Sequence, residues 1–371
     1  MRDLTAIVGK FVARGEPVRM VLPGYPYKSL SERKCTGVDP DDAEVYSLLY
    51  LDSILKEIRA IYAPGAKLII FSDGRPYSAI VGVPDENVTR YVAGIRRILR
   101  SIRAEKRIEA VTLEDLKKNE YGNDFDAMRR WLMDTYGVPL EHIDEAIKSE
   151  PDLEYLYTSM KRFRFEDMEG RPHTVVIDPN DRSRQPVSYS SLGIKAKRRV
   201  VGDMAKRGMQ LAMAWDAFLQ NVDGEALRLS SNRKRCGSKK FSIATMPGSN
   251  RHTPWHGAAV TIPMGREEGT SGASIRVIQR RVAEEYQCRE VVDPASRRPV
   301  GYMYPAVDED HIAKFYVNAL GEVPPHAVTR EWPLARKIAE IYEPLKIPVP
   351  SEAMPNAESV RSSFRPTEAA R

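Results

Sequence analysis

The chain has 371 residues, 42% apolar and 29% charged, enough to bury a full core in about one or two domains. Its 57 Lys and Arg against 51 Asp and Glu leave a net charge of +6, a mild excess that suits an anionic metabolite better than a polynucleotide. No window approaches the ~18 apolar residues of a membrane span and the start lacks a signal-type apolar core, so a cytoplasmic protein with neither membrane nor nucleic-acid partner is expected. Cys35, Cys236 and Cys288 are scattered without a CxxC pair, which argues against a disulfide framework and a structural zinc site.

In chain order, Asp39 is expected to cap a helix with Pro40 at its first position and a stripe from Val45 to Ile58, closed by Pro64 and Gly65. Leu68 to Phe71 is a short apolar run bounded by polar residues, read as a strand inside a parallel sheet. It stops in Ser72, Asp73, Gly74 and Arg75, and ligands bind at that end of open α/β sheets. A helix follows from Pro84 and Asp85 towards Ile102. Thr112 to Asp115 resembles a capping box, and helices are expected over Phe125–Tyr136 and Pro139–Lys148. From Arg162 to Arg198 the periodicity fades, with a strand at Thr174–Ile177 and a polar loop after it. A helix over Lys197–Leu219 carries a basic face. Strands are expected at Ala226–Leu229, Phe241–Met246, Ala258–Ile262, Glu290–Val292 and Val300–Tyr304, with a helix over Ser274–Tyr286. The organisation read is a single α/β catalytic domain over residues 1–346, a mixed or parallel Rossmann-like sheet flanked by helices with helical additions, then a disordered tail over 347–371.

Three loop clusters carry the chemistry. Gly24, Tyr25, Pro26, Tyr27 and Lys28 hold two rings and an ammonium on a backbone stiffened by Pro23 and Pro26; they read as a rigid pocket wall or as a structural proline turn. Asp73 and Arg75 have the charges to bind the ammonium and carboxylate of an amino acid, or to staple an Asp-Gly turn. Trp255 and His256 precede a strand, an arrangement suited to a general base beside a stacking ring, or to a satisfied structural histidine. Pro254 between His252 and His256, and no glutamate after His252, argue against zinc. Two basic runs, Lys195 to Arg199 and Arg228 with Lys234, Arg235, Lys239 and Lys240, are either convergent on a phosphate or solvated faces.

PGYPYK, FSDGRPY with its following Gly-Val-Pro-Asp turn, and TPWH after KKFSI stand in that order, as do the 197–219 helix and the Ala226 to Ser230 segment. Together they resemble the isocyanide (isonitrile) synthase family, also called the pyoverdine/dityrosine biosynthesis family, over about residues 20–305. The chain departs from the expected pattern at Asn232, where a histidine is anticipated, and in the elaborated stretch Arg171–Ser191. The resemblance implies a Rossmann-like fold and a lyase of secondary-metabolite biosynthesis. It would convert the α-amino group of tyrosine or tryptophan to an isonitrile with ribulose 5-phosphate as carbon donor and no cofactor or metal, and a downstream oxygenase would act on the product. The expected catalytic residues are His256, Lys28 and Asp73. Arg75, Tyr25, Tyr27 and Trp255 are assigned to the substrate, and Lys28 and Arg228 with Lys239 or Lys240 to phosphate. Two rival readings are an iron/2-oxoglutarate oxygenase built on His142 and Asp144, and a non-catalytic binder of anions or nucleic acid.

Overall fold

The computed structural model describes residues 2–319 except 172, 180–184, 232–239, 247–251, 264–272, 306–308 and 316–317. After helix α1 (Arg2–Arg14) comes strand β1 (Val18–Pro23), then α2 (Asp42–Ile61), β2 (Ala66–Ser72), α3 (Gly74–Val81), α4 (Asp85–Ser101) and β3 (Ile108–Thr112). A helical stretch follows: α5 (Leu113–Tyr121), α6 (Phe125–Tyr136), α7 (Leu140–Ser149) and α8 (Pro151–Glu169). The two-residue strands β4 (Val175–Val176) and β5 (Val187–Ser188) precede the long α9 (Ile194–Val222). The chain continues through β6 (Leu227–Ser230), β7 (Phe241–Ser242), β8 (Ala258–Pro263), β9 (Ala273–Ile278), α10 (Arg280–Glu285), β10 (Arg289–Val292), β11 (Pro299–Met303) and α11 (Glu309–Phe315).

The main sheet has the order β3-β2-β1-β6-β7, and every neighbouring pair is parallel. Its inner strands read as nearly unbroken apolar runs because helices cover both faces. Met20, Leu22, Leu68 and Ile70 pack on one side with Val8, Phe11, Leu51, Leu55, Tyr91 and Ile95 of α1, α2 and α4. Val21, Ile69 and Phe71 pack on the other with Leu132 of α6 and Leu211, Trp215 and Phe218 of α9. Each fully buried large side chain contributes about 1.5–3 kcal/mol. A second sheet, β10-β11-β8-β9, is mixed and joins the first through α2, whose Ala43 and Tyr46 pack with Ala259 and Val277.

The structure moves several predicted elements. Asp41, not Asp39, caps α2, in a capping box with Glu44; the intervening Pro40 packs where a Cβ on Gly94 would fall 2.7 Å away. Thr112 and Asp115 form the expected reciprocal box on α5. Residues 274–278 are strand rather than helix: their Ser-Ile-Arg-Val-Ile alternation pairs antiparallel with β8, and only Arg280–Glu285 is helical. The fading pattern before Gly170 conceals α8, a 19-residue helix opened by Pro151. Asn232, Lys234, Arg235, Cys236, Lys239 and the tail over 347–371 lie outside the described residues, while Cys35 and Cys288 are free thiols.

Candidate active site

The three loop clusters meet at the carboxyl end of the main sheet. The Gly24 amide donates to the Phe71 carbonyl at 3.2 Å and the Ser72 hydroxyl to the Tyr25 carbonyl at 3.0 Å, joining the loops after β1 and β2. Gly74 permits that contact, since a Cβ there would sit 2.0 Å from the Pro26 carbonyl oxygen. The third cluster closes on the first: the Ser29 amide donates to the Trp255 carbonyl at 2.9 Å, and Trp255 lies 4.8 Å from the Tyr25 ring.

Within this junction the predicted residues divide between framework and pocket. Lys28 is framework. Its ammonium is buried and donates to Asp41 at 2.8 Å, to Glu44 at 2.8 Å and to the Pro254 carbonyl at 2.9 Å, so its three donors are used and none remains for a phosphate. Burial pulls its pKa down, but Asp41 and Glu44 outweigh burial and leave it raised. Tyr25 is framework as well: it holds a left-handed backbone (φ 53°), and its hydroxyl bonds Ser47 at 2.5 Å inside the core. An aromatic residue in that region is strained, and the Ser47 bond and Trp255 packing hold it there. Trp255 itself belongs to the same core.

Arg75 departs most from the sequence expectation. It is 1% exposed, bonds Glu114 at 2.6 Å, the Asp85 carbonyl at 2.8 Å and Thr89 at 2.7 Å, and lies 3.7 Å from the centre of the Phe125 ring. Nη1 also meets the Asp85 carboxylate at 2.8 Å and Nη2 the Glu114 carboxylate at 2.5 Å, so all three nitrogens of the guanidinium are committed within the protein. Arg228 and Lys240 are both tied to Asp216 on α9, Lys240 at 3.0 Å, so they neutralise one carboxylate on the sheet's other flank instead of joining the loop junction.

Asp73, Tyr27 and His256 all lie within the field of Arg164. Asp73 stands at the N-cap position of α3, but its side chain accepts no capping bond from the helix; its Oδ1 is buried and lacks a partner. Burial raises its pKa to about 7, against smaller lowering effects of a backbone N–H and Arg164. The His256 ring packs edge-on against Phe163 at 4.7 Å, with Nδ1 buried and unpartnered. Its pKa is held well below the usual histidine value by burial, which outweighs Asp167; the Lys34, Arg164 and Arg171 charges add to the lowering. The imidazole is therefore neutral near pH 7. Tyr27 and Tyr77 are raised by burial and sit within the fields of Asp73 and Arg164.

The residues that sequence reasoning missed come from α8. Asp167 accepts from Ser29 at 2.5 Å and Lys34 at 3.3 Å and pairs with Arg171, which together hold its carboxyl ionised. Lys34 lies 4.0 Å from the centre of the Phe163 ring. Arg164 is 9% exposed, makes no ion pair among the described residues, and keeps Nη1 buried without a partner. Three cations, Lys34, Arg164 and Arg171, thus face two carboxylates, Asp73 and Asp167, an excess that favours an anionic occupant. The available signal is the charged set Arg164, Asp167 and Arg171, spaced three and four apart as neighbours on one helix face are.

The oxygenase constellation does not assemble. His142 and Asp144 lie on α7, where Asp144 pairs with Lys206 at 2.6 Å, and no cluster of three or more metal-ligating side chains occurs among the described residues. A cleft of about 680 Å³ runs along the β3 edge, lined by Arg96, Arg100, Glu105 and Glu109 among others; it reaches Phe71 of β2 but not Asp73, Tyr27, Arg164 or His256. No described helix is long and apolar enough to cross a membrane.

The sequence profile of a family described as pyoverdine/dityrosine biosynthesis protein matches residues 8–271. An L-tryptophan isonitrile synthase of Fischerella ambigua, AmbI2, is 34% identical over 251 residues, covering 67% of this chain and 70% of its own. An L-tyrosine isonitrile synthase of Pseudomonas aeruginosa is 33% identical over 255 residues, covering 68% and 72%. The crystal structure of the PvcA protein from Pseudomonas aeruginosa superposes with a TM-score of 0.68 at 28% identity, over 81% of this chain and 90% of that one.

Proposed function

This chain belongs to the pyoverdine/dityrosine biosynthesis protein family, and on that footing we propose that it is an isonitrile synthase. Its substrate is an L-amino acid, with tyrosine and tryptophan foremost, and its carbon donor is ribulose 5-phosphate. The observation that carries the reading is the buried pair of titratable atoms without a hydrogen-bond partner, Asp73 Oδ1 and His256 Nδ1, both within the field of the Arg164 guanidinium. A buried polar atom without a partner costs about 1–3 kcal/mol. A site that keeps two such atoms fits a ligand that satisfies them.

The chemistry asks for a neutral amine to attack a ketone, for water to leave as the imine forms, and for a proton to be removed as phosphate departs. Asp73 is poised for the first demand. With its pKa raised to about 7 it can take a proton from a substrate ammonium, leaving the amine nucleophilic and its own carboxyl neutral. His256, neutral and enclosed, serves the later transfers, and Lys34 and Arg171 place positive charge nearby where the phosphate carries its negative charge. Tyr27 and Tyr77 supply aromatic walls for the ring of the amino acid. The lyase assignment, the place in secondary metabolism, a cytoplasmic location and a downstream oxygenase acting on the product belong to the same proposal.

The test is direct. Purified protein incubated with tyrosine or tryptophan and ribulose 5-phosphate is expected to form the corresponding isonitrile, detected by mass. Folded protein that yields no isonitrile from any amino acid would remove the reading.

A further inference from the structure

We propose that Arg164 of α8 is the anchor for the α-carboxylate of the amino-acid substrate, forming with Asp73 a two-point clamp across the zwitterion. The inference rests on the isonitrile synthase reading and deepens it.

Four observations lead there. First, an α-amino acid carries opposite charges on neighbouring groups, so its host needs an anion and a cation side by side. Asp73 and Arg164 are such a pair: Tyr77, four residues after Asp73 on α3, and Met160, four residues before Arg164 on α8, both close on Gly208, and each of the pair keeps a buried polar atom without a partner, Oδ1 and Nη1. Second, the other cations nearby are engaged. Arg75 is sequestered by Glu114, Asp85 and Thr89, and Lys28 by Asp41 and Glu44. Lys34 and Arg171 pair with Asp167, and Arg171 Nε stays buried and unpartnered beside that pair, where a second anion would meet it. Third, the guanidinium fork matches a carboxylate edge to edge. One buried positive charge balances one carboxylate, whereas a phosphate dianion calls for the Lys34 and Arg171 side of the enclosure. Fourth, the Arg164 guanidinium lies 5.5 Å from the centre of the Phe163 ring, and Met160, one turn away on α8, closes with the Tyr77 ring on Gly208, so an aromatic side chain attached to the anchored carboxylate meets rings.

The experiment measures binding without turnover, so it is independent of product formation. Affinities of the wild-type protein for L-tyrosine and L-tryptophan are compared by calorimetry with those for tyramine and tryptamine, which lack the carboxylate, and for ribulose 5-phosphate. The wild type is expected to bind the acid at least 10-fold more tightly than its amine. In Arg164→Gln that gap is expected to shrink to about twofold, with ribulose 5-phosphate affinity unchanged. Arg164→Lys, which keeps the charge but loses the fork, is expected to retain part of the gap and carries the test if Arg164→Gln does not fold. The proposal is overturned if the gap survives in both variants, or if the variants lose ribulose 5-phosphate instead. It is equally overturned if none of the twenty amino acids binds the wild type. A clamp confirmed by calorimetry in a protein that forms no isonitrile would leave Arg164 assigned and reject the reaction.

Discussion

Asp73 and Arg75 stand two residues apart and face opposite fates, because one lies at the cap of α3 and the other inside its first turn. Asp73 turns into the enclosure with its pKa raised to about 7; Arg75 turns into the contact with α4 and α5. If Asp73 receives the substrate proton, kcat/KM should fall with unit slope below about pH 7, and Asp73→Asn should lower the rate by about 10²–10⁴ and abolish that limb. The same variant should be more stable than the wild type. Between about pH 4 and 7 the folded protein keeps a proton that the unfolded chain has released, so this contribution is lost as pH rises through 7. Melting curves should therefore show a larger gain for Asp73→Asn at pH 8 than at pH 5. Arg75→Ala should behave in the opposite way. Removing a guanidinium that satisfies Glu114 and Asp85 should cost about 3 kcal/mol of stability, read by denaturant unfolding, with amino-acid affinity unchanged in the folded protein.

The elements that could be read in the sequence are those whose local signals agree with their tertiary role. The capping box at Thr112, the apolar run of β2 and the stripe of α4 all announce themselves. The loop motifs were also legible as chemistry, and the junction brings them together. What sequence could not supply was direction: Lys28 and Arg75 carry the right charges for a ligand, and only packing reveals that carboxylates already hold them. Helix α8 was hidden for a related reason. It is packed from more than one side, so its apolar residues, Met160, Phe163, Phe165 and Met168, do not form a single stripe. Strand β9 was mistaken for helix because its apolar residues continue into the helical Arg280–Glu285 without a turn signal. Tight junctions between elements have their own signature: Gly74→Ala would drive a Cβ into the Pro26 carbonyl and, at 2.9 Å, into Val88. It should lower the melting temperature by several degrees and activity by more than 10-fold, since the loop must shift to relieve the clash.

At the scale of the molecule, several basic side chains among the described residues are held in ion pairs rather than left as an open patch. On α9, Lys197 meets Glu169 at 2.8 Å, Lys206 meets Asp144 at 2.6 Å and Arg207 meets Asp203 at 2.9 Å, while Arg199 pairs with Asp178. Such a surface should hold nucleic acid weakly: filter binding of single-stranded RNA or DNA at 150 mM salt is expected to show no affinity tighter than about 10⁻⁵ M. A tight, steeply salt-dependent complex would restore the nucleic-acid reading. The site instead gathers contributions from three tethered loops and one helix, and these differ in how they tolerate a change of length. The loops are held to one another by backbone contacts; α8 presents Met160, Arg164 and Asp167 along one line of a helical surface. Inserting or deleting one residue early in α8 would turn that line by about 100° relative to the remainder of the helix, carrying Arg164 out of the enclosure without disturbing either sheet. If Arg164 holds the substrate, the exposed residues of this segment tolerate exchange better than the segment tolerates a change of count, and a relative with a one-residue gap between Pro151 and Arg164 is expected to differ in its affinity for the amino acid.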